Sequence, residues 1–447
     1  MAGMENLCAR LMRNAAVIGG GWAGCAAAVE LVQRNWRVTL FEGARTLGGR
    51  ARQVECNGHM LDNGQHILLG AYSETLRLMR VVGIAPEQAM LRLPLQMRYP
   101  PGSEGMDFIV PCLPAPWHML AGLLRASGLA RADKLALVRF TTTARWMDWC
   151  LHTDCSVAEL LERFDQTDRL IRLMWRPLCI AALNTPPERA SAQVFLNVLR
   201  DSLGARRRAS DMLIPRIDLS ALFPQKAADY IAERNGTTRC GTTVKKITLD
   251  GAHWKLDVSS AGQASQERFD AVVLATQPSH AAALIDGLAD TGALAAFAYE
   301  PITTCYLQYT PTVKLEQPFF ALLDDPARGH WGQFVFDRGQ LTERHAGLLS
   351  VVVSTSGDAI TAGHDALCVS VANQLATVFH NPQLTRPQWM KVISEKRATF
   401  SCTPALVRPA NRTACKGLVL AGDYTAGDYP ATLEAAVRSG VQAARCL

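Results

Sequence analysis

The sequence predicts an α/β protein in which a parallel-sheet nucleotide domain is interleaved with a mixed α+β substrate domain. Three stretches lead there: a glycine-rich turn between a strand and a helix near the start, a continuous apolar strand near residue 272, and a second strand–glycine–helix run near residue 430. The first reads Val17-Ile18-Gly19-Gly20-Gly21-Trp22-Ala23-Gly24. In this Gly19-x-Gly21-x-x-Gly24 pattern the first glycine permits a tight turn and the second lets backbone approach a pyrophosphate. The third lets helix and strand pack closely. The following helix opens at the turn, so the N–H groups of Trp22 and Ala23 and the positive dipole end face an anion. A second strand, Arg37 to Phe41, ends in Glu42-Gly43, close to the spacing of an acid that binds ribose hydroxyls. Strand, turn, helix, strand and acid within about 30 residues make a Rossmann-like dinucleotide site, which a lone glycine-rich turn would not.

A length of 447 residues allows two or three domains. With 49% apolar and 19% charged residues the chain is expected to be globular. Net charge is +6 and Arg206-Arg207-Arg208 is the densest basic block, which argues against nucleic acid. That triplet reads first as solvated surface and second as a contact for anionic lipid heads. Thirteen cysteines without a C-x-x-C pair suggest reduced thiols and a cytoplasmic setting. Met1 to Ala16 has no long apolar core, so no signal peptide is expected. No apolar run approaches the roughly 18–20 residues of a membrane span, leaving a soluble protein or one that lies on a membrane.

Along the chain, Leu47-Gly48-Gly49-Arg50 reads as a turn that sets a cation near the nucleotide. Met60 to Gly70, including Gln65 and His66, reads as a strand and turn entering a cleft, followed by a helix over about 72–82. Six prolines between Leu93 and Pro116 exclude helix and mark the first crossing into the other domain. Residues 115–200 have helical spacing. Trp117, Leu120, Leu123 and Leu124 share one face, with Arg125, Arg131, Lys134 and Arg139 beyond. This helix is expected to pack on the core, with docking on a bilayer as the second reading. A helix over 218–233 precedes strands at 237–239, 244–247, 254–258 and 269–276, the last a buried parallel strand. Strands at 305–309 and 348–353 and a helix near 366–379 revisit the substrate domain. Gly417 to Tyr424 then ends a strand in Gly422-Asp423, and a helix starts near Thr432-Leu433. The nucleotide domain is expected over 1–95, 205–297 and 405–447, and the substrate domain over 96–204 and 298–404.

Taken together, these stretches resemble the FAD-binding amine oxidase and carotenoid desaturase superfamily. Ala421-Gly422-Asp423-Tyr424-Thr425 with Pro430-Ala431-Thr432-Leu433-Glu434 is similar to plant-type and cyanobacterial carotene desaturases. Leu61 to Tyr72 is closer to a bacterial group, the squalene-associated FAD-dependent enzymes or hydroxysqualene dehydroxylases of hopanoid synthesis. The resemblance implies a glutathione-reductase-type FAD domain. It implies Gly19, Gly21 and Gly24 at the pyrophosphate, Glu42 at the adenosine ribose, and Gly49-Arg50 between phosphates and flavin. It places the Val244 backbone at adenine, Gly422 and Asp423 at the pyrophosphate and ribityl chain, and Thr432 and Leu433 near the ring. Arg52 and Gln53 stand where the superfamily usually has Ser or Thr, which changes the local hydrogen bonding. Cys402 and Cys415 lack the surroundings of a flavin-linked cysteine, so FAD is expected to be non-covalent.

A flavin can give or take hydride while the protein supplies orientation and a dry setting. With a single dinucleotide fingerprint, electron exchange is expected with a diffusible donor or acceptor, or through the same flavin face. The preferred reaction is reductive dehydroxylation of hydroxysqualene to squalene, and the isoprenoid would lie in an apolar tunnel lined by helices of 115–200, with Met174, Trp175 and Phe195 as lining or as core. Hydroxide leaves poorly, so an acid is needed near the C–O bond; His66 is the first candidate, followed by Asp428, Tyr424 and Tyr429. A carotene or dehydrosqualene desaturase is second and a flavin amine oxidase third. A non-catalytic prenyl-binding escort protein is the reading from another class, and a yellow preparation would separate an enzyme from it.

Overall fold

The computed structural model describes residues 12–56, 58–114, 117–204 and 206–447. The question of a leader within residues 1–16 falls mostly outside them, as does Pro116. The described residues open with β1 (Asn14–Ile18), α1 (Trp22–Gln33) and β2 (Arg37–Glu42). Ala26, Ala27 and Ala28 keep α1 thin enough to lie flat on the sheet, fully buried. No helix occurs among the described residues of the proline-rich stretch, and helices fill most of 117–202. Two of these matter below: α2 (Trp117–Arg125) and α3 (Arg131–Trp146). Met174, Trp175 and Phe195 are fully enclosed. Trp175 packs on Phe140 at 4.6 Å and on Phe195 at 6.2 Å, and its indole donates to Gln166, so these side chains fill a core.

The chain then returns through β3 (Thr237–Cys240), a separate antiparallel meander over 242–269, and β4 (Ala271–Leu274). Two expected elements are divided. The helix over 218–233 breaks into Leu219–Leu222 and Pro224–Ala232. Pro224 has no N–H to continue the helix and forces Phe223 to φ −152°. The strand over 269–276 breaks at Asp270, whose carboxylate and N–H bond reciprocally with Asn14. The meander therefore ends and the parallel sheet resumes within one residue.

A second sheet contains β5 (Tyr299–Gln308), β6 (Phe319–Ala321), β7 (Phe334–Asp337), β8 (Leu348–Ser354) and β9 (Trp389–Phe400) in the antiparallel order β6-β7-β8-β5-β9. The chain closes with β10 (Leu418–Leu420) and α4 (Leu433–Arg445). The parallel sheet has the order β3-β2-β1-β4-β10, so strands far apart in sequence lie side by side. α4 lies against α1 so closely that a Cβ at Gly440 would overlap the Ala23 carbonyl. Among the described residues no helix is long and apolar enough to cross a membrane.

Candidate active site

The glycine turn joins β1 to α1. Gly19 has φ 106°, and a side chain there would strike the Ala275 carbonyl; one at Gly24 would strike the Gly19 carbonyl. Gly21 differs. A Cβ at Gly21 would meet nothing nearer than the Gly49 Cα at 3.9 Å. Packing thus demands two of the glycines, and the third leaves the open surface that a close-lying phosphate needs. α1 carries no side-chain cap and no acid in its first turn, so the N–H groups of Trp22, Ala23 and Gly24 are left for an anion. The Trp22 side chain is engaged elsewhere, donating to the Ala51 carbonyl at 3.0 Å and packing on Phe223. Only its backbone can serve the site.

Glu42 lies at the end of β2. Its Oε2 accepts from the Gly20 N–H at 2.6 Å and its Oε1 from the Ala44 N–H at 2.7 Å. Each oxygen keeps a second lone pair for a ribose hydroxyl. Gly43 faces the Thr243 hydroxyl, and the Gly241 N–H donates to Ala44, which brings the start of the meander and Val244 beside this acid. Gly48 and Gly49 are both left-handed, at φ 111° and 60°, and the Gly48 N–H reaches the Gly20 carbonyl at 2.8 Å. Where the superfamily has Ser or Thr, Arg52 donates back to the Gly49 carbonyl at 2.9 Å.

Arg50 connects this turn to the other end of the sequence. Its Nη2 lies 2.7 Å from both Asp423 oxygens, and its Nη1 donates to the Ala398 carbonyl at 2.6 Å. Burial opposes the charge on Arg50, and the adjacent Asp423 more than offsets this, so the guanidinium pKa is raised. Asp423 is held in turn by its own segment. The Gly422 N–H donates to Ser439 on α4, and Arg408 donates to the carbonyls of Asp423 and Tyr429. Thr432 caps α4 by accepting from the Ala435 N–H, leaving the N–H groups of Leu433 and Glu434 free of helical partners. The buried Glu434 carboxylate accepts from Glu74 and Thr75 and so fixes that helix end.

The expected acids separate. Tyr424 is buried, and its ring folds back over Gly422, where a Cβ would collide with it. It meets Phe297 edge-on at 6.0 Å, and Phe297 packs on Phe400 at 5.6 Å. Its hydroxyl has no hydrogen-bond partner among the described residues, and burial raises its pKa, so it is a neutral phenol. Asp428, expected beside the ring, is instead 68% exposed and paired with Arg200 at 3.5 Å; the 426–428 loop turns it to the surface. The Tyr429 hydroxyl is already bonded to Asp201 at 2.6 Å.

His66 follows the strand His59–Asp62. Its Nδ1 lies 2.9 Å from the Gly64 carbonyl, which can only accept, so Nδ1 carries the proton and Nε2 is a bare acceptor. Burial holds its pKa below the usual 6.5. A neutral His66 of this tautomer can accept a hydrogen bond at Nε2 but cannot donate one, contrary to its expected role as the acid. Its loop is tied to the site, because Asn63 donates to the Arg50 carbonyl. Gln65 turns the other way and accepts from Arg338, which also pairs with Asp62 at 3.3 Å; both charged groups are buried.

Sequence reasoning did not assign Phe297, Phe400, Arg408, Arg338 or Thr276 to the site. None belongs to a spaced motif, and each enters through long-range packing. Thr276 follows β4 against Gly19 and has a buried hydroxyl without a partner. The open face of Gly21, the free helix starts and the unpartnered hydroxyls of Thr276 and Tyr424 together fit a dinucleotide-type cofactor.

The family described as flavin containing amine oxidoreductase matches residues 22–447. A hydroxysqualene dehydroxylase of Rhodopseudomonas palustris is 28% identical, over 96% of this chain and 96% of its own. A zeta-carotene desaturase of Synechocystis is 23% identical over 97% and 96%. Among solved structures, cyclohexylamine oxidase of Brevibacterium oxydans superposes with a TM-score of 0.67 at 18% identity, covering 97% of this chain and 98% of that one. The fold is therefore the α/β, Rossmann-like arrangement of FAD enzymes. The glycine turn, the Arg50–Asp423 junction and the family match over nearly all of the chain have one meaning: the chain belongs to the flavin-containing amine oxidoreductases and is an FAD-dependent oxidoreductase.

Proposed function

We propose that this enzyme acts on a long isoprenoid and removes the hydroxyl of hydroxysqualene reductively, giving squalene for triterpene synthesis. The observation that carries the reading is the buried, unpartnered Tyr424 phenol beside Arg50–Asp423, within an aromatic and aliphatic surround. Reductive dehydroxylation needs a proton donor; removal of hydride from a polyene does not. The similarity to hydroxysqualene dehydroxylases over almost the full length of both chains points the same way. When bound and reduced, FAD supplies hydride to carbon. The C–O bond breaks, the hydroxyl leaves as water with the proton that Tyr424 donates, and the phenolate left behind regains a proton from solvent once the product has gone. The Arg50–Asp423 pair orients the cofactor segment, and His66 accepts a hydrogen bond at Nε2.

The cofactor is held non-covalently in this reading. Cys402 is buried and pushed up to about 12, so it stays a thiol, and the Cys415 thiol is spent on the Leu288 carbonyl. The nucleotide domain takes 1–95, 205–297 and 405–447, which contain every strand of the parallel sheet. The substrate domain takes 96–204 and 298–404, which contain the helical segment and the second sheet. Electrons arrive from a diffusible donor, and the enzyme works in the cytoplasm, with peripheral contact at the inner face of the cell membrane as the second localisation.

Desaturation of a carotene or dehydrosqualene is the second reading, favoured by the relatives named zeta-carotene desaturase. Anaerobic incubation of reduced holoenzyme with hydroxysqualene, and of oxidised holoenzyme with phytoene, separates the two. Squalene in the first reaction is expected; a desaturated product only in the second would overturn the proposal.

A further inference from the structure

Of the thirteen large apolar side chains that are exposed among the described residues, seven fall within residues 113–146. They follow helical spacing. On α2, Trp117, Leu120 and Leu124 stand at i, i+3 and i+7; on α3, Leu135, Val138 and Trp146 stand at i, i+3 and i+11. Exposure reaches 68% at Leu124, 69% at Leu135 and 86% at Trp146. The opposite faces are buried in the protein. His118, Gly122 and Leu123 are buried on α2, and Ala136, Leu137, Phe140 and Ala144 on α3. Leu123 thus leaves the face that its spacing assigned to it and turns into the core. A helix that borders only the core and water has one apolar stripe. These two have a second stripe that none of the described residues covers.

The charges on the same helices have one sign. Residues 117–147 carry Arg125, Arg131, Lys134, Arg139 and Arg145 against a single acid, Asp133. Asp133 is buried and accepts from the Ala130 N–H and the Thr167 hydroxyl, so it neutralises none of them. Among the described residues Arg125, Arg131 and Arg145 form no ion pair, and Arg139 reaches only Asp165, loosely, at 3.5 Å. Lys134 donates to the carbonyls of Leu124 and Ala126 and joins the end of α2 to α3.

We infer that this α2–α3 surface docks on an anionic lipid bilayer. Leucines enter the acyl boundary, the two tryptophans sit at headgroup depth, and the arginines extend along the surface to lipid phosphates. A second copy of the chain is a poor occupant, because pairing this surface with itself would set unpaired cations against cations. The position also has a use. The inner faces of α2 and α3 belong to one apolar interior that continues through Trp175 and Phe195 to Phe297, Phe400 and Tyr424. A membrane-dissolved ligand would meet the enzyme where that interior comes nearest the bilayer. The inference stands on the exposed stripes and charges, not on which redox reaction follows.

Purified holoenzyme is floated with phosphatidylcholine vesicles, with or without a quarter of phosphatidylglycerol. Flotation with the anionic vesicles is expected, and it should weaken as salt is raised. Leu124→Ser with Leu135→Ser, and separately Arg125→Gln with Arg131→Gln and Arg145→Gln, should each reduce it at least about tenfold with the flavin spectrum and melting temperature unchanged. In the unsubstituted protein, brominated lipids should quench tryptophan emission, and Trp117→Phe with Trp146→Phe should abolish the quenching. Failure of the holoenzyme to float with anionic vesicles would overturn the inference. So would equal flotation of every folded variant, or a lipid-free dimer that Leu124→Ser dissociates. Flotation of an enzyme inactive on hydroxysqualene would sink the proposed reaction and leave the docking surface intact.

Discussion

Tyr424 stands apart from four other buried phenols. Tyr99, Tyr306 and Tyr309 each donate to a backbone carbonyl, and Tyr429 donates to Asp201, whereas the Tyr424 hydroxyl has no partner among the described residues. An unsatisfied buried hydroxyl costs about 1–3 kcal/mol, a penalty relieved when a ligand oxygen arrives. Tyr424→Phe removes the penalty and the proton donor together. It should bind FAD normally, melt no lower than the parent and lose about 10²–10⁴-fold in kcat with KM little changed; stopped-flow reoxidation by substrate checks this, and unaltered turnover would remove Tyr424 from the chemistry. Much of this scale was legible in the sequence. The turn residues from Gly19 to Gly24 could be read because backbone geometry dictates glycine there. Protonation state could not: the roles of His66 and Asp428 depend on which carbonyl or cation lies beside them, and Gly64 and Arg200 decide that only in three dimensions.

At the scale of elements, α1 and α4 meet through glycine. The collision a Cβ at Gly440 would make involves the Ala23 backbone, which cannot rotate away as a side chain would. Gly440→Ala should therefore separate the two helices and cost about 1–3 kcal/mol, read as a lower denaturant midpoint. Its FAD content should fall, since Ser439, the neighbouring residue, holds Gly422. An unchanged midpoint and full flavin occupancy would contradict the described helix contact. Periodicity identified the five strands of the parallel sheet and the helix whose cap is Thr432, but not Phe319–Ala321, Phe334–Asp337 or Trp389–Phe400 of the second sheet. It missed the break at Phe223–Pro224 and the one at Asp270. The first needed only the proline rule; the second needed the distant Asn14 as partner.

Across the whole molecule, the Asp62–Arg338 pair fastens the His66 loop to the second sheet. Burial pushes the Asp62 carboxyl up more than Arg338 pulls it down, so the pair secures a geometry and adds little net stability. Arg338→Met leaves a charge buried alone and should destabilise by about 3–5 kcal/mol. Adding Asp62→Asn should restore part of that loss, and chemical denaturation of the four proteins tests the coupling. Additive losses would mean that the two groups act independently.

The parallel sheet takes strands from widely separated parts of the sequence, and β10 and α4 emerge during translation after its other four strands. Until they arrive, the flank of α1 that carries Ala23 is bare and Arg50 has no carboxylate to meet. Cofactor capture then has to wait for β10 and α4, and a chain stalled before residue 418 would be a colourless client for chaperones.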